Sequence, residues 1–257
     1  MAAYTLEIID HLAVLTLVSS EKRNLLTPAS AVEIARAVEG LLDNPAVKAL
    51  AVTGQAGAFC SGADLSVLQQ AAGGDGAELQ QIYSAFTSVA QSPLFTIALV
   101  NGPALGAGMN LAMACDIRLA SPEAWFESRF FNLAIHPGGG HTWLLPKLVG
   151  WQQAAAMIFS GERLSARQAL AQGFVKELHS EEELLTRAKQ LCAPLSTVPT
   201  ALVRQTKTSM LQLRSCERQD DAVAFEFQQQ FQSLQTDDAQ QHIAALLARI
   251  QNHSGQE

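Results

Sequence analysis

Cysteine is scarce and scattered: the 257 residues hold four, Cys60, Cys115, Cys192 and Cys216, with no CxxC pairing among them. A disulfide framework needs paired cysteines in an oxidising compartment, so reduced thiols packed as small hydrophobes are expected instead. Positive charge is also short, 17 Lys and Arg against 24 Asp and Glu for a net charge of -7, and it is gathered in no block. Nucleic acid and anionic membrane surfaces are recognised through clustered cations, so neither is an expected partner. No apolar run is long enough to cross a bilayer. The opening "MAAYTLEIIDHLAVLTLV" lacks early basic residues and is interrupted by Glu7, Asp10 and His11, which does not fit a signal peptide. A cytoplasmic protein is expected. Also missing are the GxSxG elbow, the GxxxxGK loop of nucleotide-binding proteins and the HExxH metal pair.

What is present reads as an ordinary globular chain, 48% hydrophobic and 16% charged, long enough to bury a full core as one large domain or one domain with a small appendage. "TLEII" and "LAVLTLV" form two short strands separated by the turn-prone Asp10-His11, so a hairpin opens the fold. Thr27 followed by Pro28 is a helix start, and Val32, Ala35, Val38 and Leu41 continue at helical spacing to an end near "DNP". "VKALAVTG" and "LFTIALVNG" read as buried strands, each running into a glycine-rich loop and then a helix. Between them "QQAAGGDGAELQQ" has the weakest pattern and reads as a variable surface excursion. "DIRLA" and "AWFES" are two further short strands. From about Trp151 the pattern is almost wholly helical, and Ser165 with Gln168, and Ser180 with Glu183, match the capping-box spacing. Phe225, Phe231, Leu234 and Ile243 make amphipathic helices of the glutamine-rich tail. The sum is an α/β core, residues 1–195, with a helical C-terminal region, 196–257, belonging to the same structural unit.

Two glycine turns carry the chemistry. In "LGAGMNLAMACD", Gly106 and Gly108 open directly into a helix, where backbone N–H groups without intrahelical partners face whatever lies in front. "CSGADL", with Gly62 and Ala63, is built alike, so the two turns could converge two backbone donors on one oxygen. A dinucleotide fingerprint is disfavoured because Leu111 stands where GxGxxG needs its third glycine.

Four ordered stretches, "AFCSGADLS" (58–66), "VNGPALGAGMNLAMACDIRLA" (100–120), "HPGGGHTWLLPKLVG" (136–150) and "SGERLSARQALAQGFVKEL" (160–178), resemble the enoyl-CoA hydratase/isomerase, or crotonase, family. The resemblance implies a spiral of ββα repeats with a C-terminal helical region that helps form trimers, commonly paired into hexamers. It implies an acyl-CoA thioester as substrate, or an acyl-carrier thioester sharing the same arm, and no separate cofactor or metal. The thioester oxygen would be held by the backbone N–H groups of Ala63 and Ala107, the latter where the family usually has glycine. The first strand-loop, with Ser61, Ala63 and Leu65, corresponds to the stretch that cradles the adenine and pantetheine end, and Gly62, Asp64, Gly106, Gly108, Pro137 and Gly138 are the further substrate-binding positions. Lys22 and Arg23 are placed to meet CoA phosphates.

The hydratase pattern also requires two glutamates, and here they fall on Asn110 and Phe130. An amide has no useful pKa near neutrality and phenylalanine transfers no proton. A positioned acid or base contributes on the order of 10²–10⁴-fold, so standard hydration is disfavoured. His136 or Glu127 could substitute as the proton-transfer group, and His141 is the other imidazole flanking "PGGG", although both histidines read more readily as surface or second-layer residues. The spacing of the two histidines matches no zinc motif. Arg129 reads most simply as an exposed arginine, with pairing to Glu127 or contact with an acidic acyl chain as alternatives, and Asp116 would bond backbone or Arg118. Isomerisation or other enolate chemistry is therefore expected, against two alternatives: a non-catalytic thioester-binding or assembly protein, and a genuine hydratase of fatty-acid or aromatic-acid degradation.

Overall fold

The computed structural model of the chain describes residues 3–18 and 23–254. The opening hairpin forms as expected, β1 (Tyr4–Ile9) antiparallel to β2 (Leu12–Leu17). Strands β3 (Ala49–Gly54), β4 (Phe95–Val100), β6 (Ile117–Ala120) and β9 (Glu177–Leu178) extend the sheet in parallel, giving the order β1-β2-β3-β4-β6-β9. A second sheet holds β5 (Ala104–Leu105), β7 (Trp125–Glu127) and β8 (Leu164–Ser165), with β7 at its centre. Parallel strands connected by helices are covered on both faces, which is why β2, β3 and β4 read as continuous apolar runs rather than alternating ones. Leu15, Leu50, Val52, Ala98 and Val100 point into the main core, while Leu12, Val14, Ala51, Ile97 and Leu99 meet a second apolar cluster that includes Leu184, Ala188 and Cys192.

Helix α1 (Pro28–Gly40) starts at the Thr27 cap, whose hydroxyl accepts the Ser30 amide at 3.1 Å while the Ser30 hydroxyl accepts the Thr27 amide at 2.9 Å. The segment "QQAAGGDGAELQQ" departs from expectation. Only Gly73–Gly76 is a loop; the flanks are the end of α2 (Leu65–Ala72) and the start of α3 (Ala77–Gln91), which packs against α1. The physical reason is the i, i+3, i+4, i+7 stripe of Ile82, Ala85, Phe86 and Val89, all buried, which together with Leu79 anchors a helix whose start is masked by the glycines before it. Helix α4 (Ala107–Ala114) follows the second glycine turn and is buried along its whole length. Beyond it lie α5 (His141–Val149), α6 (Trp151–Phe159), α7 (Ala166–Ala171) and α8 (Glu181–Cys192). Both expected capping boxes, Ser165 with Gln168 and Ser180 with Glu183, are present. The two-residue strands β8 and β9 interrupt the helical stretch that the sequence pattern suggested.

The chain divides into two compact units, Met1–Ser196 and Thr197–Glu257. The second consists of α9 (Thr200–Leu213), α10 (Gln219–Leu234) and α11 (Asp237–Ser254). Its helices expose Met210, Val223, Phe227, Phe231, Ile243, Leu246 and Ile250. Cys60, Cys115 and Cys192 are buried thiols outside any disulfide, whereas Cys216 is exposed. Among the described residues no helix is long and apolar enough to cross a membrane.

Candidate functional site

Two backbone turns meet at the mouth of a cleft of about 520 Å³ in the first unit. The loop after β3 is fixed by an isolated parallel bridge between Leu26 and Ala63, in which the Leu26 amide donates to the Gly62 carbonyl and the Asp64 amide to the Leu26 carbonyl. Extended backbone alternates, so the Ala63 amide points away from that bridge. The other turn enters α4 through Gly106 at φ +50° and leaves Ala107 as the first helical residue, whose N–H has no intrahelical partner. Among the described residues neither the Ala63 nor the Ala107 amide donates to a backbone carbonyl. The turns touch through Gly62: a β-carbon there would sit 2.8 Å from the Leu105 oxygen and 3.7 Å from the Ala107 nitrogen, and its φ of +103° also calls for glycine. The neighbouring bridge between Cys60 and Ala104, supported by the Leu105 amide donating to the Cys60 carbonyl at 3.0 Å, locks the two turns together.

Asn110 lies one turn into α4 and lines the cleft, but its side chain is engaged inward. Its Nδ2 donates to the Gly138 carbonyl at 3.0 Å, which fixes the amide's orientation, and its Oδ1 lies 2.7 Å from His141 Nδ1. An amide oxygen only accepts, so His141 carries its proton on Nδ1. Nε2 is then the acceptor, and the Ser128 hydroxyl, 3.0 Å away, donates to it. His141 is fully buried, the Phe130 ring packs edge-on against it at 5.0 Å, and burial pushes its pKa down to about 4. Proximity along the chain was the only signal for His141; its pairing with Asn110 joins residues 31 apart and depends on how α5 meets α4.

Glu127 lies at the end of β7, buried on the cleft wall. Its Oε1 accepts from Asn132 at 3.1 Å, and its Oε2 meets Arg163 at 3.1 Å and Arg129 at 3.5 Å. The pairing with Arg129 is the one the sequence suggested; Arg163, 36 residues away, carried no signal because β8 and the loop before it are placed by tertiary contacts. Arg129 adopts φ +63° as the backbone leaves β7. His136 sits exposed at the cleft's edge, with Nδ1 2.8 Å from the Pro137 carbonyl. A carbonyl only accepts, so the neutral ring keeps its proton on Nδ1 and presents a free Nε2 lone pair.

Of the residues singled out from sequence, the cleft is lined by Ser61, Gly62, Ala63, Leu65, Gly106, Ala107, Asn110, Glu127, Arg129, Phe130, His136 and Gly138. The others sit elsewhere. The Asp64 carboxylate caps α2 by accepting the Ser66 amide at 3.0 Å, Gly108 is pressed against Cys60, Pro137 is buried behind the wall, and Arg23 holds Ser61 through its carbonyl. Lys22 falls outside the described residues. Asp116, expected to bond backbone or Arg118, accepts the Thr96 amide at 2.9 Å and the Thr96 hydroxyl at 3.0 Å. The remaining lining combines apolar side chains, Leu68, Leu79 and Ile82 from α2 and α3 and Leu133 and Ile135 from the loop before α5, with the polar Ser128, Asn132 and Arg163.

A family model described as enoyl-CoA hydratase/isomerase matches residues 7–256. The chain belongs to the enoyl-CoA hydratase/isomerase family. Within that family it is 40% identical over 207 residues to the Mycobacterium tuberculosis protein named "Probable enoyl-CoA hydratase EchA14", covering 80% of each chain. It is 32% identical over 191 residues to the 1,2-epoxyphenylacetyl-CoA isomerase of Escherichia coli, covering 72% of this chain and 73% of that one. The crystal structure of an enoyl-CoA hydratase from Polaromonas superposes with a TM-score of 0.86 at 26% identity, covering 96% of this chain and 97% of that one. The fold is therefore the crotonase fold, and relatives that carry hydratase and isomerase names share it.

Proposed function

We propose that the cleft binds an acyl thioester on CoA or on a carrier-protein phosphopantetheine arm, with the thioester oxygen between the amides of Ala63 and Ala107. The observation that carries this reading is two N–H groups without a backbone acceptor on adjacent glycine turns that line one cleft. Charge that develops on a thioester oxygen when the α-proton leaves is stabilised by such preorganised donors, and each contributes roughly 2.7–4 kcal/mol to lowering the barrier. The chemistry is enolate chemistry other than standard hydration, such as double-bond isomerisation, because Asn110 is consumed by Gly138 and His141 and Phe130 carries no proton.

The α-proton is taken by His136. Its Nε2 is the free, unprotonated nitrogen at the cleft's edge, whereas both oxygens of Glu127 are occupied by Asn132, Arg163 and Arg129. The pair of arginines and Glu127 shape the acyl end of the pocket. The exposed apolar side chains of α9, α10 and α11 fit burial in a homotrimer or hexamer.

Proton exchange tests the enolate directly. Incubated in D₂O, the protein should wash deuterium into the α-position of butyryl-CoA, followed by NMR, and His136→Gln should slow this by about 10²-fold or more. Binding of butyryl-CoA with no exchange would overturn the catalytic reading and leave a thioester-holding protein.

A further inference from the structure

We propose that Ser128, His141 and Asn110 form a nucleophile, a general base and a positioning amide for hydrolysis of the same bound thioester. The proposal rests on the thioester site described above but concerns a different carbon: the carbonyl carbon is attacked instead of the α-proton being removed.

Three observations support it. The Ser128 hydroxyl donates to His141 Nε2 at 3.0 Å, the hydrogen bond a serine nucleophile makes to its base. His141 Nδ1–H donates at 2.7 Å to Asn110 Oδ1, and Asn110 is itself pinned by the Gly138 carbonyl, so ring orientation and tautomer are both set. Ser128 lines the cleft next to the turn that presents the Ala107 amide, since the Gly106 amide donates to the Glu127 carbonyl and a β-carbon on Gly106 would lie 3.8 Å from the Ser128 carbonyl oxygen. Nucleophile, orienting amide and oxyanion donors thus border one space, with the base buried directly behind the serine, which is the arrangement acyl transfer requires. Burial keeps His141 neutral well below pH 7, so the acceptor form is the resting form.

Ser128 Oγ bonds to the thioester carbonyl carbon as its proton passes to His141 Nε2. The tetrahedral oxyanion is held by the two amides. The C–S bond then breaks and the thiolate takes the proton from Nε2, leaving an acyl ester on Ser128 and a free thiol. Water, the co-reactant, attacks the ester and gives its proton to Nε2. The Oγ–C bond breaks, the proton returns to Oγ, and a carboxylic acid departs.

The full-length protein is incubated with butyryl-CoA and octanoyl-CoA, which have no double bond to hydrate or shift. Free thiol is read with a chromogenic disulfide, and binding is measured by calorimetry on the same samples. The expected result is catalytic thiol release that falls about 10²-fold or more in Ser128→Ala and in His141→Gln, with acyl-CoA affinity retained in Ser128→Ala as the sign that it is folded. Wild-type protein treated with a fluorophosphonate should gain one adduct mapping to Ser128. Asn110→Asp should move the acid limb of the rate profile to higher pH, because a carboxylate against Nδ1 stabilises the imidazolium; a merely structural role would leave that limb in place. Binding without thiol release, or release undiminished in Ser128→Ala, overturns the hydrolytic inference while the thioester site stands. Absence of binding together with absence of thiol release overturns both.

Discussion

Acidification should weaken the fold through one buried imidazole. His141 has no exposed surface and burial holds its pKa near 4, against 6.5 for an unperturbed histidine. Above pH 6.5 the ring is neutral in the folded and the unfolded chain, and it contributes no pH dependence. Below 6.5 the unfolded chain takes up the proton first, so the free energy of unfolding falls by about 1.4 kcal/mol per pH unit until the folded ring also protonates near pH 4. The full effect is about 3 kcal/mol and about 2 kcal/mol of it is reached by pH 5, a large share of the stability of a typical domain. His141→Gln removes the titration while retaining an amide able to hydrogen-bond. Urea unfolding followed by circular dichroism at pH 7.5, 6 and 5 gives the difference between the wild type and this variant. The wild type's stability relative to the variant should fall by about 2 kcal/mol between pH 7.5 and pH 5. A difference that stays constant with pH would refute the buried neutral imidazole and the tautomer assigned to it.

Three substitutions examine other parts of the structure. Ala107→Pro removes the proposed oxyanion donor at the first helical position, where proline is tolerated, and should lower thioester turnover by about 10²–10³-fold with the helix content by circular dichroism unchanged. Gly139→Ala forces a β-carbon at φ +68° to within 2.5 Å of Phe86 Cζ and 2.8 Å of Asn110 Nδ2; it should cost roughly 1–3 kcal/mol in urea unfolding. Thr27→Ala deletes the α1 cap and should cost about 1 kcal/mol in the same assay.

Legibility in the sequence followed the range of the interactions. The capping boxes at Thr27, Ser165 and Ser180 are made by side chains three residues apart, so a short window of sequence contains all the chemistry needed. Strands β2, β3 and β4 were legible because burial on both faces leaves unbroken apolar runs. Strands β5, β8 and β9 were not, since two residues carry no periodicity and their pairing is decided by neighbours far along the chain. The start of α3 was obscured by Gly73, Gly74 and Gly76, although the stripe from Ile82 onward holds the helix in place. At the site, the glycine turns announced themselves because a close approach of backbone to backbone admits little else. The connection of Asn110 to His141 and Ser128 had no local signature. The amide at 110 read as a lost acid, and only the fold shows that it orients a buried imidazole whose other nitrogen accepts from a serine in the cleft wall.

A thioester oxygen held between two main-chain amides is tested by a crystal structure of the protein with the non-hydrolysable ketone analogue of butyryl-CoA, in which a methylene replaces sulfur and the carbonyl is kept. The ketone oxygen should lie within about 2.7–3.1 Å of both the Ala63 and the Ala107 nitrogen, in the cleft bordered by Ser128 and His136. An analogue bound with its carbonyl elsewhere, or touching neither amide, would contradict it.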